Sequence, residues 1–135
     1  MTVSLMQQVK ADLAELCLAC AEGNLSLYRA NVAPQACVTV VLASDGYPDV
    51  HETGFEISGL EAAESVDGVH VFHSGTAERQ GRVVTAGGRV LSVSALGDDL
   101  AESRTRAYEA CSRISFEGMH YRRDIAARAA EEEGT

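Results

Sequence analysis

Several groups of residues in this chain have types and spacings that could do chemistry. Cys17-Leu18-Ala19-Cys20 has the C-x-x-C spacing of a redox pair. Such a pair needs a thiolate close to a helix N-terminus, where the dipole lowers the thiol pKa. Here both cysteines fall late in a stretch of helical periodicity and on its apolar side, so core packing is the expectation. Cys37 and Cys111 stand alone, so no second C-x-x-C completes a zinc set. His70 and His73 lie three apart in an expected strand and project to opposite faces, which prevents chelation of one metal without a bulge. His73, at the strand end beside Ser74-Gly75-Thr76, is the histidine expected in a pocket.

Ala86-Gly87-Gly88-Arg89 carries the most specific physics. Two glycines let the backbone approach a ligand closely and offer free N–H groups. Arg89 can fork onto phosphate or carboxylate oxygens. An ordinary hairpin turn with an exposed arginine uses the same residues, and spacing alone leaves both readings open. Arg122-Arg123-Asp124 reads either as a phosphate-facing pair or as a surface ion pair at a helix end. No nucleophile elbow, Walker loop or G-x-G-x-x-G is present. Carboxylates are numerous but scattered, and spacing selects no acid/base pair. No residue of the chain is therefore assigned a catalytic role, and no metal site is expected.

The elements that must position these groups are legible from periodicity. Residues 3–22 read as one amphipathic helix, with Met6, Val9, Leu13, Leu16, Cys17 and Cys20 on one face and Gly23-Asn24 as its stop. Residues 37–43 read as a buried strand ending in a turn at Ser44-Asp45-Gly46. Phe55-Glu56-Ile57 reads as a short strand, Leu60 to Ser65 as a helical turn, and Val69 to His73 as a strand. Residues 82–85 and 89–94 flank the two glycines and read as a hairpin. Asp99 opens a helix with Glu102 as capping-box partner and Leu100, Ala107, Cys111 and Ile114 on one face. Tyr121 to Ala130 reads as a last helix, followed by a solvated acidic end at Glu131 to Glu133. The pattern is α+β: an N-terminal helix, a small and mostly antiparallel sheet with a Gly-Gly hairpin, and C-terminal helices.

The 135 residues are enough for one domain with a real core. Eleven basic against 20 acidic residues give a net charge of −9. That excludes a general nucleic-acid binder, which needs a basic face, and disfavours docking on anionic lipid. The longest apolar run, Cys37 to Ala43, is too short to span a bilayer. Four cysteines in a chain of this size do not make a disulfide framework, and a reducing cytoplasm is the expected location.

Taken in order, the motifs resemble a known family. They are Val40-Val41-Leu42-Ala43-Ser44 with Gly46-Tyr47-Pro48, Gly54-Phe55-Glu56-Ile57 with Gly59-Leu60, Val71-Phe72-His73-Ser74-Gly75-Thr76, and Thr85-Ala86-Gly87-Gly88-Arg89-Val90-Leu91. Ala107-Tyr108, Ile114, Phe116-Glu117-Gly118 and Tyr121-Arg122-Arg123-Asp124-Ile125 complete the series. From Cys37 onward the chain resembles the C-terminal domain of phosphoribosylamine–glycine ligase, also called glycinamide ribonucleotide synthetase. Residues 2–25 resemble the helix that closes the ATP-grasp region of that family. The domain division expected from this is 1–36 for the helix and connection, and 37–135 for the ligase C-terminal domain.

The resemblance implies a cytoplasmic step of de novo purine synthesis. Glycine is joined to 5-phosphoribosylamine at the expense of ATP, through an acyl phosphate that the ribosylamine nitrogen attacks. ATP and Mg²⁺ are implied to bind parts of the ligase that would precede Thr2, with no cofactor held by this stretch, which is expected to be inactive alone. Its implied partners are the remaining ligase domains, 5-phosphoribosylamine and glycine. The implied substrate-binding residues are Gly87, Gly88 and Arg89, facing the phosphate, with His73, Ser74 and Gly75 on the same side. Thr53 departs from the family, which often carries Lys before that glycine. Two other readings stay open: a standalone anion-binding or regulatory α+β module, and a structural piece that self-associates through its first helix.

Overall fold

The computed structural model describes residues 2–29 and 31–133. Its centre is a four-stranded antiparallel sheet built from β3 (Ala36–Ser44), β4 (Val69–His73), β7 (Arg89–Gly97) and β8 (Met119–His120), in the order β4-β7-β3-β8. Two-stranded pairs flank it: β1 (Val9–Lys10) with β2 (Asn31–Val32), and β5 (Thr76–Arg79) with β6 (Arg82–Thr85). The helices are α1 (Thr2–Gln8), α2 (Leu13–Ala21), α3 (Leu60–Glu64), α4 (Leu100–Arg113) and α5 (Ala127–Glu133). The α+β reading holds.

Strand alternation divides the sheet into two unlike faces. Val38, Val40 and Leu42 of β3, Leu91, Val93 and Ala95 of β7, and Val69 and Val71 of β4 share one face and are buried. Helix α4 covers that face with Ala107, Ala110, Cys111 and the following Ile114. The α4 start follows its sequence signal: Asp99 Oδ1 accepts from the Glu102 N–H at 2.7 Å. Glu102 reaches back to the Asp98 N–H, also at 2.7 Å, rather than to that of Asp99. Glu133 Oε2 accepts from the Leu100 N–H at 2.7 Å, so part of the acidic end is a counter-charge for the α4 N-terminus.

The opposite face carries Cys37, Thr39, Val41, Ser92 and Ser94. Helix α1 packs on it through a chain of polar contacts. Ser4 Oγ and Thr39 Oγ1 lie 2.6 Å apart, Thr39 Oγ1 and Ser94 Oγ 2.8 Å, and Ser94 Oγ and Cys37 Sγ 3.3 Å. These bonds satisfy hydroxyls that burial would otherwise make costly.

Five expectations need correction. The single helix over 3–22 is broken. Val9 and Lys10 pair with Val32 and Asn31, and the Gln8 carbonyl accepts from the Ala33 N–H at 2.7 Å instead of continuing a helical ladder. Asp12 then caps a new helix, accepting from the N–H groups of Ala14 and Glu15. Gly23-Asn24 ends that helix as expected, with a Schellman pair of bonds from Asn24 to Ala19 and from Gly23 to Cys20. With the helix broken, the anticipated apolar face is not buried: Met6, Leu13, Cys17 and Cys20 are exposed, so core packing of the two cysteines is wrong.

The Gly-Gly hairpin does not form. β6 pairs with β5 through Gln80-Gly81, whose φ values of 52° and 74° give the turn that matches strand twist. β7 pairs instead with β3 and β4. Both edges of β7 are thereby paired, so its backbone donors and acceptors are satisfied without β6. Gly87 and Gly88 therefore connect two different sheets. Phe55 to Ile57 is not a strand, although Glu56 forms an isolated bridge with Val84. The last helix begins only at Ala127, since Tyr121 to Ala126 runs as loop and Ala126 has φ 57°.

The connection is held by close backbone approach. A Cβ on Gly75 would lie 2.6 Å from the Arg89 oxygen and 2.9 Å from Gly87 Cα. The Ala86 N–H donates to the Gly75 carbonyl at 2.8 Å, and the Gly75 N–H to the Val90 carbonyl at 3.1 Å. Gly75→Ala is expected to destabilise the chain by about 1–3 kcal/mol, because backbone rather than a side-chain tip must give way. Urea unfolding of the variant checks this, and a midpoint equal to wild type contradicts the packing described.

Burial pushes the Cys111 thiol up to about 12, with a backbone hydrogen bond pulling weakly the other way. The thiolate is the reactive form, and at pH 8 only about one part in ten thousand of this thiol would be ionised. Alkylation of the native chain at pH 8 should label exposed Cys17 and Cys20 and leave Cys111 for the denatured state. Peptide mapping that finds native Cys111 labelled as fast as Cys17 would show the core to be wrongly assigned.

Candidate functional site

A cleft of about 700 Å³ opens on the hydroxyl-bearing face of the sheet, beside α1. Four of the six residues expected in a site line it: Ser74, Gly75, Gly88 and Arg89. Gly87 sits behind the lining, packed against Gly75, with its carbonyl accepting from Ser44 Oγ at 3.1 Å. His73 is brought near but not in. It is exposed at the end of β4, with Nδ1 2.9 Å from Thr76 Oγ1.

Arg89 reaches the cleft because the strand pairing slips. β3 and β7 run in register through Leu42 opposite Leu91, and then Ala43 stands opposite Arg89. Val90 is the extra residue of a β-bulge. In unbroken alternation Arg89 would share a face with Leu91 and point toward α4. The bulge reverses its parity and aligns it with Val41 and Ser92 on the cleft side. Both Val90 and Leu91 are then fully buried.

The electrostatics favour an anion here. No acidic side chain lines the cleft. Arg89 has no carboxylate partner among the described residues, whereas Arg82, Arg106, Arg113, Arg122 and Arg128 each pair with one. A smaller depression of about 300 Å³ has the opposite character, with Asp45, His51, Glu52 and Glu117 in its wall. In a chain of net charge −9, an arginine without a carboxylate partner in an acid-free cleft gives that cleft a local field that favours a small anion.

Arg122 and Arg123 do not join this site. Arg122 forks onto Asp124 at 2.9 and 2.6 Å on the surface, which holds the Asp124 carboxyl below the usual carboxylate range. Arg123 lies over the Tyr121 ring, 5.4 Å from its centroid. The cleft brings a cation and hydroxyls together, an arrangement able to hold an anion. Among the described residues, no group of three or more His, Cys, Asp or Glu side chains could hold a metal ion.

Val3, Thr39, Tyr47 and Ser92 also line the cleft and were not anticipated as site residues. Gly46-Tyr47-Pro48 reads as loop chemistry, and its ring reaches the site only by folding over Gly88. A Cβ on Gly88 would overlap Tyr47 Cδ2 and lie 3.1 Å from His51 Cε1. Thr39 and Ser92 had a usable signal, since each is polar at the alternate positions of a strand whose other positions are apolar.

Comparison with known proteins agrees with the motif order. The family described as Phosphoribosylglycinamide synthetase, C domain, matches residues 37–128. Phosphoribosylamine–glycine ligase of Vibrio vulnificus is 42% identical over 132 residues, covering 98% of this chain and 30% of the relative. That of Leifsonia xyli is 47% identical over 131 residues, covering 95% and 31%. The crystal structure of the same ligase from Thermotoga maritima superposes with a TM-score of 0.70 at 37% identity, over 84% of this chain and 27% of that one. The chain thus spans about 30% of the length of the curated relatives it matches. With the sheet, the Gly-Gly-Arg connection and this similarity in hand, the chain belongs to the phosphoribosylglycinamide synthetase C-domain family.

Proposed function

We propose that this chain serves as the C-terminal domain of an ATP-dependent ligase joining glycine to 5-phosphoribosylamine in purine biosynthesis. Its part is to present the Arg89 cleft to the substrate phosphate. The observation that carries the reading is the bulge at Val90, which turns an unpaired arginine into a cleft free of carboxylates. Arg89 binds and orients the phosphate, and a guanidinium does this with two parallel N–H donors. Ser74, Gly75 and Gly88 shape the wall around it, while Gly87 holds the connection and His73 stands at its rim.

ATP and Mg²⁺ supply activation of the glycine carboxylate when bound. Among the described residues no cluster of His, Cys, Asp or Glu fits Mg²⁺, and the reading places both ATP and Mg²⁺ on other lobes of the ligase. Residues 37–135 form the C-terminal domain proper, and 1–36 form the passage from the ATP-grasp region. The passage exposes Leu5, Leu13, Leu18, Leu27 and Val32, which suits a segment that packs on those lobes. Among the described residues no helix is long and apolar enough to cross a membrane. A ligase of purine biosynthesis would work in the cytoplasm. The standalone module has no support from the comparisons, since the matched relatives are longer ligases.

In a ligase carrying this domain, Arg89→Ala should raise KM for phosphoribosylamine or lower kcat/KM by about tenfold or more, since a hydrogen bond to a charged group contributes roughly 1.5–3 kcal/mol. Arg89→Lys should recover part of the loss, because charge returns without the fork. Steady-state kinetics at wild-type values for Arg89→Ala would remove the cleft from the substrate site.

A further inference from the structure

The cleft holds more than an anion-binding arginine. Tyr47 lies over Gly88, directly beside Arg89, and glycine is what allows the ring to settle there. The ring is partly open to solvent on the cleft side, and its hydroxyl has no hydrogen-bond partner among the described residues. A tyrosine placed this way offers a flat apolar surface with a polar tip.

Ser92 is the independent pointer. The residue is only 7% exposed, lies on the cleft floor three positions along β7 from Arg89, and its hydroxyl bonds to no described residue. The neighbouring hydroxyls Thr39 and Ser94 on the same face are bonded to each other. The Ser92 hydroxyl is left unpaired at the cleft floor and so is available to bond a ligand seated there.

An anion site, an aromatic wall and an unpartnered hydroxyl, within roughly 10 Å of strand, match a sugar bearing a phosphate better than a bare anion. We infer that Tyr47 is a specificity-determining residue, the wall on which the sugar ring of a phosphosugar packs while Arg89 holds its phosphate. The inference rests on the proposed placement of the substrate phosphate at Arg89, and it assigns the selection of sugar over anion to a different side chain.

The test uses the ligase carrying this domain and two inhibitors competing against phosphoribosylamine: ribose 5-phosphate, and methyl phosphate, which keeps the anion without the sugar. Wild type should bind ribose 5-phosphate at least about tenfold more tightly than methyl phosphate, as burial of a ring face and one or two hydrogen bonds would give. Tyr47→Leu, which keeps apolar bulk over Gly88, should shrink that ratio to within about threefold. It should also raise KM for phosphoribosylamine while leaving kcat and the melting temperature near wild type. Tyr47→Phe should retain the ratio. Arg89→Ala should weaken both inhibitors alike.

Equal affinities for the two inhibitors in wild type would overturn the inference with no variant needed. An unchanged ratio in Tyr47→Leu, with both inhibitors weakened by Arg89→Ala, would overturn the role of Tyr47 and leave the anion site standing. If Arg89→Ala alters neither inhibitor, the cleft reading fails and the inference with it. A Tyr47→Leu enzyme that melts earlier and loses kcat with KM unchanged would show the ring to be structural.

Discussion

The one-residue slip between β3 and β7 is the constraint on which the rest of this molecule depends. Up to Leu42 and Leu91 the two strands alternate together, and beyond them Ala43 faces Arg89. The extra residue, Val90, is absorbed into the core rather than ejected, so the bulge costs little buried area. It reverses the side on which Arg89, the first residue of β7, projects. A guanidinium that would have been driven toward the apolar interface with α4 emerges on the hydroxyl face instead. The slip also brings the chain after β6 close against the end of β4, where only glycines at 75 and 87 permit the backbones to meet. Ser44 then ties the connection down through the Gly87 and Gly88 carbonyls.

The sheet's two faces explain why a polar cleft survives in a chain this small. The α4 face is aliphatic and closed, and contributes most of the hydrophobic burial. The other face carries hydroxyls and a thiol and is covered only in part, by a seven-residue helix held through Ser4, Thr39 and Ser94. A short helix on a polar face leaves the remainder of that face open to a ligand. The surrounding charge adds to the effect, since the cleft lining holds no carboxylate while the neighbouring depression is acidic.

The N-terminal segment shows a different balance. Helical periodicity over 3–22 is real, but a continuous helix would place Asp12 in its interior, where the residue favours a cap. Pairing of Val9 with Val32 resolves the conflict by ending one helix and letting Asp12 start another. The result leaves leucines and both C-x-x-C cysteines on the surface of the described residues. That apolar exposure lies in a chain that spans only about 30% of the length of the ligases it matches.

Much of this protein was determined by local sequence. The strand over residues 37–43, the strand from Val69 to His73, the Asp99 cap and the α4 face each rest on neighbours within one or two turns or a few strand positions, and each forms as read. The motif order that identifies the family is likewise linear. Tertiary structure alone decided which strand β7 would join, because two glycines between β-branched runs suit a hairpin and a crossover equally well. The strand pairs with β3 on one edge and β4 on the other, long-range partners invisible in the turn itself. The same non-local pairing introduced the bulge, and so the face of Arg89, the seat of Tyr47 over Gly88 and the open hydroxyl of Ser92. Gln80-Gly81 carried a hairpin signal in its own right, yet the competing Gly-Gly pair masked it. Residue types thus set the elements, while strand register, which no short window contains, set the site.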